Sequence, residues 1–204
     1  MRVLKALLVG IVVLLVVAIG VAFLLPDKAA VERSIVIARP AGQVYAVVES
    51  FTLFNRWSPW ADLDPATRYA FEGPERGVGA KMSWASDDPN VGKGSQTITA
   101  VTPDQQVVVA LAFEGMPGAT ATLLLAPEGD GTRVTWRFDG DLPLALDGNF
   151  PFSVVGRYFG LAMDNFIGKD YDKGLGRLKV LLEGFPVADI SGLDFEVTIG
   201  GIPS

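Results

Sequence analysis

Outside the N-terminal run, apolar residues keep helical spacing longest between Leu161 and Phe185. Met163, Ile167, Tyr171, Gly174, Leu178, Leu181 and Phe185 share one face, and Lys169, Asp172, Lys179 and Glu183 share the other. That is the layout of a helix pressed along one side against a sheet. Gly168, Gly174 and Gly176 each cost such a helix roughly 1 kcal/mol against alanine, and Gly174, on the apolar face, suits close approach to another surface. From Thr67 the period drops to two, with Gly, Pro and Asp punctuating runs of strand formers. The pattern predicts strands at Arg68 to Glu72, Ala80 to Ala85, Gly94 to Val101, Gln106 to Glu114, Ala119 to Ala126 and Thr132 to Asp139. Turns short enough to make neighbours antiparallel separate them. Upstream, Ile35 and Ile37 mark a strand over Ser34 to Ala38, and Val44, Val47 and Val48 a helix over Gln43 to Glu49. Phe51, Phe54, Trp57 and Trp60 mark a second short helix broken at Pro59. Asp141 to Tyr158 reads as a loop with short helical pieces, and Asp194 to Ile199 as one more candidate strand. The order is strand, two helices, six strands and a long helix, an α+β layer in which an antiparallel sheet curls around one helix.

Ala6 to Leu25 is a run of 20 residues without a charge, and at about 1.5 Å per residue it spans the roughly 30 Å hydrocarbon layer. A transmembrane helix is expected, retained in the mature protein. A cleaved signal peptide is the competing reading, but its apolar region runs about 7 to 15 residues and ends at a small-x-small site. Here Phe23, Leu24 and Leu25 run straight into Pro26. Arg2, Lys5 and the terminal amine favour an N-terminus in the cytoplasm and an exported domain, although Lys28, Arg33 and Arg39 nearly balance them. The expected division is an anchor over 1–26, a linker over 27–30, one domain over 31–186 and a tail over 187–204.

Charge narrows the partners. Of the 17 basic residues, 15 lie beyond the anchor and face all 23 acidic ones, a balance of −8 with the basic residues scattered. Nucleic acid and anionic membrane surfaces are therefore unsuitable partners for the domain. The chain has no histidine and no cysteine. That removes Ser-His-Asp and Cys-His nucleophilic sites and the usual zinc ligand sets, and no metal or other cofactor is expected.

The order of elements, with Trp57-Ser58-Pro59-Trp60, Gly77-Val78-Gly79, Trp84, Gly92-Lys93-Gly94, Gly131-Thr132-Arg133-Val134-Thr135-Trp136, Gly174-Leu175 and Leu178-Lys179, resembles the START and Bet v 1-like (SRPBCC) superfamily. More narrowly it resembles bacterial polyketide cyclase/dehydrase-like proteins that carry an N-terminal membrane helix. The likeness covers Val31 to Phe185 and implies a helix-grip fold with an apolar cavity between sheet and long helix. Members bind lipids, sterols, polyketides or other hydrophobic molecules, and only some are enzymes. Asp189 to Leu193 resembles the segment by which longer relatives enter a second, effector-binding-like domain, which is expected to be missing here.

Aromatic residues carry the binding expectation. Strand parity turns Trp84, Phe113, Trp136 and Phe138 inward beside Met82, Val109, Leu111 and Val134. Trp57 and Trp60 are expected to gate the cavity, and Met163, Ile167, Asp170 and Tyr171 to face it from the long helix. Asp170 falls inside the apolar face, where an ionised carboxylate needs a partner or a raised pKa; Arg137 and Tyr69 are the candidates. The acid pairs Asp62 with Asp64, Asp87 with Asp88 and Asp139 with Asp141 sit in loops and strand ends, where turn formation is the usual role. Three functions stay open: a membrane-anchored module binding a hydrophobic small molecule or lipid, a cyclase or dehydratase using Asp170 or Tyr171, and an interaction module whose interior is filled by side chains.

Overall fold

A computed structural model describes residues 2–115, 117–142, 144 and 150–186. The N-terminal apolar run forms α1 (Arg2–Ala22), long and apolar enough to be a membrane span or a signal sequence. The chain continues as β1 (Lys28–Ile37), α2 (Ala41–Val48), α3 (Phe51–Phe54), β2 (Arg68–Glu72), β3 (Lys81–Ala85), β4 (Lys93–Thr102), β5 (Gln106–Phe113), β6 (Ala119–Glu128), β7 (Gly131–Asp141), α4 (Phe150–Gly160) and α5 (Met163–Glu183). The strands form one seven-stranded sheet in the order β1-β7-β6-β5-β4-β3-β2, antiparallel at every pairing. A bulge between Ile98 and Ala100 in β4 adds local twist and helps the sheet curl.

Beyond α1, three elements differ from expectation by more than two residues. β1 begins at Lys28, six residues before the expected Ser34, so most of the expected linker is strand. Its inward positions are Ala29, Val31, Arg33, Ile35 and Ile37, and the charge at Arg33 interrupts the apolar alternation that would have revealed the longer strand. The second short helix stops at Phe54, and the chain through Trp57 and Ser58 turns back on Phe54 by two backbone hydrogen bonds. The expected loop contains a full helix, α4. The candidate strand Asp194 to Ile199 lies outside the described residues.

α5 packs along β1 and onto β7, while α2 packs on β6 and β7. Its buried stripe is Gly168, Tyr171, Gly174, Leu175, Leu178 and Leu182. Relative to the expected face, Gly168, Leu175 and Leu182 join, Met163, Ile167 and Leu181 are half-buried, and Phe185, past the helix end, is exposed. The helix also covers the free edge of β1. Lys179 Nζ donates to the Val36 carbonyl at 2.7 Å, and the Ala38 N–H donates to Glu183 Oε1 at 2.8 Å. Such cover protects an edge strand from pairing with another chain. On the opposite margin the β2–β3 connection closes at Gly73, whose φ of 76° and contact with the Gly79 carbonyl leave no room for a side chain.

Candidate functional site

Inward parity of β7 brings Trp136 under α5, and the chain after α3 delivers two more indoles to the same place. Trp136 stacks on Tyr171, with ring centroids 3.9 Å apart and planes 9° from parallel. Trp57 and Trp60 meet the Trp136 ring edge-on at 5.2 Å and 5.9 Å, and Phe54 closes on Trp57 at 4.8 Å. Gly174 makes room: a Cβ there would lie 2.8 Å from Trp136 Cζ3 and 3.0 Å from Pro59 Cδ. Trp136 is 4% exposed and Tyr171 2%. Edge-on and offset pairs of this kind add about 0.5–1.5 kcal/mol each beyond the area they bury. The space beside Trp136 is thus occupied by other rings, and Trp57, expected as a gate, is a core residue 1% exposed.

A second face of α5 fastens the Trp57–Trp60 segment. Trp60 Nε1 donates to Asp170 Oδ2 at 2.9 Å, Lys173 Nζ to the Pro59 carbonyl at 3.1 Å, and Arg177 to the Ser58 carbonyl at 2.8 Å. Arg177 also pairs with Asp62. Asp170, Lys173 and Arg177 stand at i, i+3 and i+7, one above another on the helix. The partner of Asp170 is therefore Trp60, not Arg137 or Tyr69; Arg137 forms a bidentate pair with Asp139, both contacts 2.7 Å. Burial, with the Asp139 charge adding to it, pushes the Tyr171 hydroxyl far above its ordinary pKa. It stays protonated across the physiological range and cannot serve there as a base.

Of the other expected residues, Met82 and Trp84 lie on β3 near the opposite margin of the sheet, Val109, Leu111 and Phe113 on the central β5, and Val134 and Phe138 on β7 with Trp136. Trp84 pairs with Gly94 across β3 and β4, its ring folds over that glycine, and it meets Phe113 edge-on at 5.8 Å. Trp84, Leu111 and Phe113 are half-buried, while Met82, Val109, Val134 and Phe138 are buried. Tyr69, opposite Trp84, extends the aromatic row. The register places this row at one end of the sheet. Arg68 pairs with Ala85, Gly94 with Phe113, Leu111 with Ala119 and Lys28 with Asp141, so the open row shares its end with Lys28 and hence with α1. Met163 and Ile167, in the first turns of α5, are half-buried against the core.

Two of the hollows among the described residues lie elsewhere. One of about 250 Å³ opens between α3 and the β2–β3 hairpin, beside Phe51, Phe71 and Pro74. A shallow basin of about 690 Å³ runs along α5, beside Arg56, Lys173, Arg177 and Val180. Neither is lined by a residue of the expected set.

Of the paired acids, Asp62, Asp64, Asp88, Asp139 and Asp141 have structural partners. Asp64 accepts from the Ser86 hydroxyl and the Ala66 N–H, which hold its carboxyl below the usual range. Asp88 accepts from Asn90, and Asp141 pairs with Lys28 at 3.9 Å. Sequence reasoning missed Arg33, which reaches from the inner face of β1 to Asp164 at 2.8 Å and 3.0 Å and to Asp172 at 3.2 Å. Its guanidinium lies against Gly168, where a Cβ would collide with it. An inward charge in line with Ile35 and Ile37 was the available signal.

Residues 28–183 match the family model described as polyketide cyclase/dehydrase and lipid transport. No curated protein matches the chain. Among solved structures, a protein from Thermobifida fusca is similar with a TM-score of 0.55 and 18% identity, over 75% of this chain and 92% of that one. An uncharacterized protein from Rhizobium leguminosarum gives 0.54 and 15%, over 77% and 95%. Ara h 8.0201 gives 0.50 and 10%, over 78% and 99%. At these identities the likeness concerns the fold.

Proposed function

Because the chain belongs, through residues 28–183, to the polyketide cyclase/dehydrase and lipid transport family, we propose that it is a membrane-anchored module binding a hydrophobic small molecule or lipid at the open, α1-side end of its sheet. Its fold is the Bet v 1-like α+β arrangement of curved antiparallel sheet and long C-terminal helix. The observation that carries the proposal is the half-buried row of Tyr69, Trp84 and Phe113 with Leu111 behind it. Side chains that could have closed a core instead leave apolar surface at the mouth of a concave sheet, the usual make-up of an apolar ligand site. Trp60 borders the filled half, tethered by Asp170. In this reading the anchor is α1 in the cytoplasmic membrane, with the domain on the extracytoplasmic side.

A cyclase or dehydratase needs a group that moves protons beside the ligand. Asp170 is engaged by Trp60 and Tyr171 is held protonated within the aromatic stack, which favours binding over catalysis. The filled Trp136 cluster supports a second reading, an interaction module with no ligand. Native mass spectrometry of the detergent-released full chain separates the two. An apolar adduct is expected, with Phe113→Arg lowering its occupancy about tenfold, a change of about 1.4 kcal/mol, at little cost in melting temperature. A bare protein that also takes up no fluorescent fatty acid in nanodiscs would favour the filled module.

A further inference from the structure

α4 is amphipathic in an unusual sense: its one charged residue points back into the protein and its other face is bare apolar surface. Phe152 is 77% exposed, Val155 65% and Phe159 51%, at i, i+3 and i+7. Phe166 of α5, also exposed, stacks on Phe159 with centroids 5.8 Å apart. The charge, Arg157, donates to the Leu25 carbonyl at 2.5 Å. An apolar patch of this kind on a domain with an acidic balance marks a contact surface.

The packing of α4 identifies the occupant. The Tyr158 hydroxyl donates to the Ala18 carbonyl at 2.7 Å, so α4 leans on the last turn of α1 and leaves Ala22 buried. Ala18 lies four residues inside the end of α1, which places Tyr158 about 6 Å below that end along the helix axis. Helices lying in the plane of a membrane bury their apolar face to about 5–10 Å, at the boundary of headgroups and acyl chains. Tyrosine is enriched at that depth. We infer that α4 is an interfacial helix, its Phe152, Val155 and Phe159 face set into the bilayer beside α1, which lays the open Trp84–Phe113 end of the sheet against the membrane.

The inference rests on α1 being a span, and it specifies the bilayer itself as the source of the apolar ligand. Lipid or a lipid-dissolved molecule would enter the concave sheet without crossing water. Because Lys28 pairs with Asp141 and the Leu142 N–H continues that ladder by donating to the Asp27 carbonyl at 2.7 Å, the anchor is tied directly to this end of the sheet. No long tether intervenes to let the domain swing away.

Spin labelling tests this in the full chain, which has no native cysteine. Single variants Phe152→Cys, Val155→Cys, Leu14→Cys and Asp130→Cys would be labelled and reconstituted in phosphatidylcholine vesicles. All four positions are exposed, so the labels disturb no packing. Labels at Phe152 and Val155 are expected to collide several-fold more with oxygen, relative to an aqueous nickel chelate, than the label at Asp130 on the far turn. Leu14 should show the largest ratio. Lipid access at Leu14 with water access at Phe152 and Val155 overturns the placement of α4 and leaves the anchor standing. Water access at Leu14 overturns both.

Discussion

Gly174 and Gly176 are two residues apart on α5 and meet opposite surroundings. A methyl group on Gly174 would press into Trp136 and Pro59, both held on other sides, whereas Gly176 has nothing within 4 Å. Gly174→Ala is therefore expected to destabilise the protein by about 1–3 kcal/mol, the range for overpacking a filled core. Gly176→Ala should stabilise it by roughly 0.5–1 kcal/mol through helix propensity alone. Thermal melts of the detergent-solubilised chain followed by near-ultraviolet circular dichroism would read both the shift and the environment of the indoles. Equal effects at the two positions would show that the Trp136 stack yields to an added methyl. The residue scale also marks where sequence stops being informative. Strand parity turned Trp136 inward, and so it lies. Whether an inward ring bounds a cavity or fills one depends on which residues approach from α5 and from the turn after α3. Those approaches join positions 57, 136 and 171, and no periodicity within a single element records them.

Between elements, the clasp of α5 on β1 is ionic as well as apolar. A hydrogen bond from Lys179, then one from the Ala38 N–H, holds the Glu183 carboxyl below its ordinary pKa of 4.5. Arg33 does the same for Asp164. A lowered native pKa means the folded protein binds that proton less readily than the unfolded chain. The contribution is complete above the ordinary value and is lost as pH falls through the lowered one. The melting temperature should accordingly drop below about pH 4.5, and Glu183→Gln should start slightly lower at neutral pH and fall less steeply on acidification. The same acid slope in both would remove Glu183 from the clasp. Most elements were legible because a period of two or of 3.6 survives wherever one side is wet and the other dry. β1 was shortened by the inward Arg33. α4 was hidden for the complementary reason: Phe150–Gly160 is apolar on the side facing away from the protein too, so no dry-and-wet contrast marks it as helix.

Across the whole molecule, the two margins of the sheet are treated differently, and local stability should follow. β1 pairs with β7 and carries α5 along its other edge through Lys179, Ala38 and Glu183. β2 is five residues long, pairs with β3, and exposes Arg68, Ala70, Phe71 and Glu72. Short, charged strands are a common way of leaving a sheet edge unattractive to another chain, at the expense of protection for their own amides. β6 and β7 lie inside the sheet, under α2 and the aromatic stack, and contain the buried Leu123, Leu125, Val134 and Trp136. Amide exchange spans opening energies from near zero to the global unfolding energy within one domain, and each 1.4 kcal/mol is about tenfold in rate. In nanodiscs, β6, β7 and the Tyr171 to Leu182 part of α5 should exchange slowest and together, since one core holds all three. β2 should exchange at least about a hundredfold faster, with β1 close to the slow group although it too is terminal in the strand order. Pulse-labelling mass spectrometry with peptide resolution gives the ranking. Fast exchange in β1 would mean that α5 does not hold the edge it covers, and slow exchange in β2 would mean that another surface pairs with that margin in the membrane.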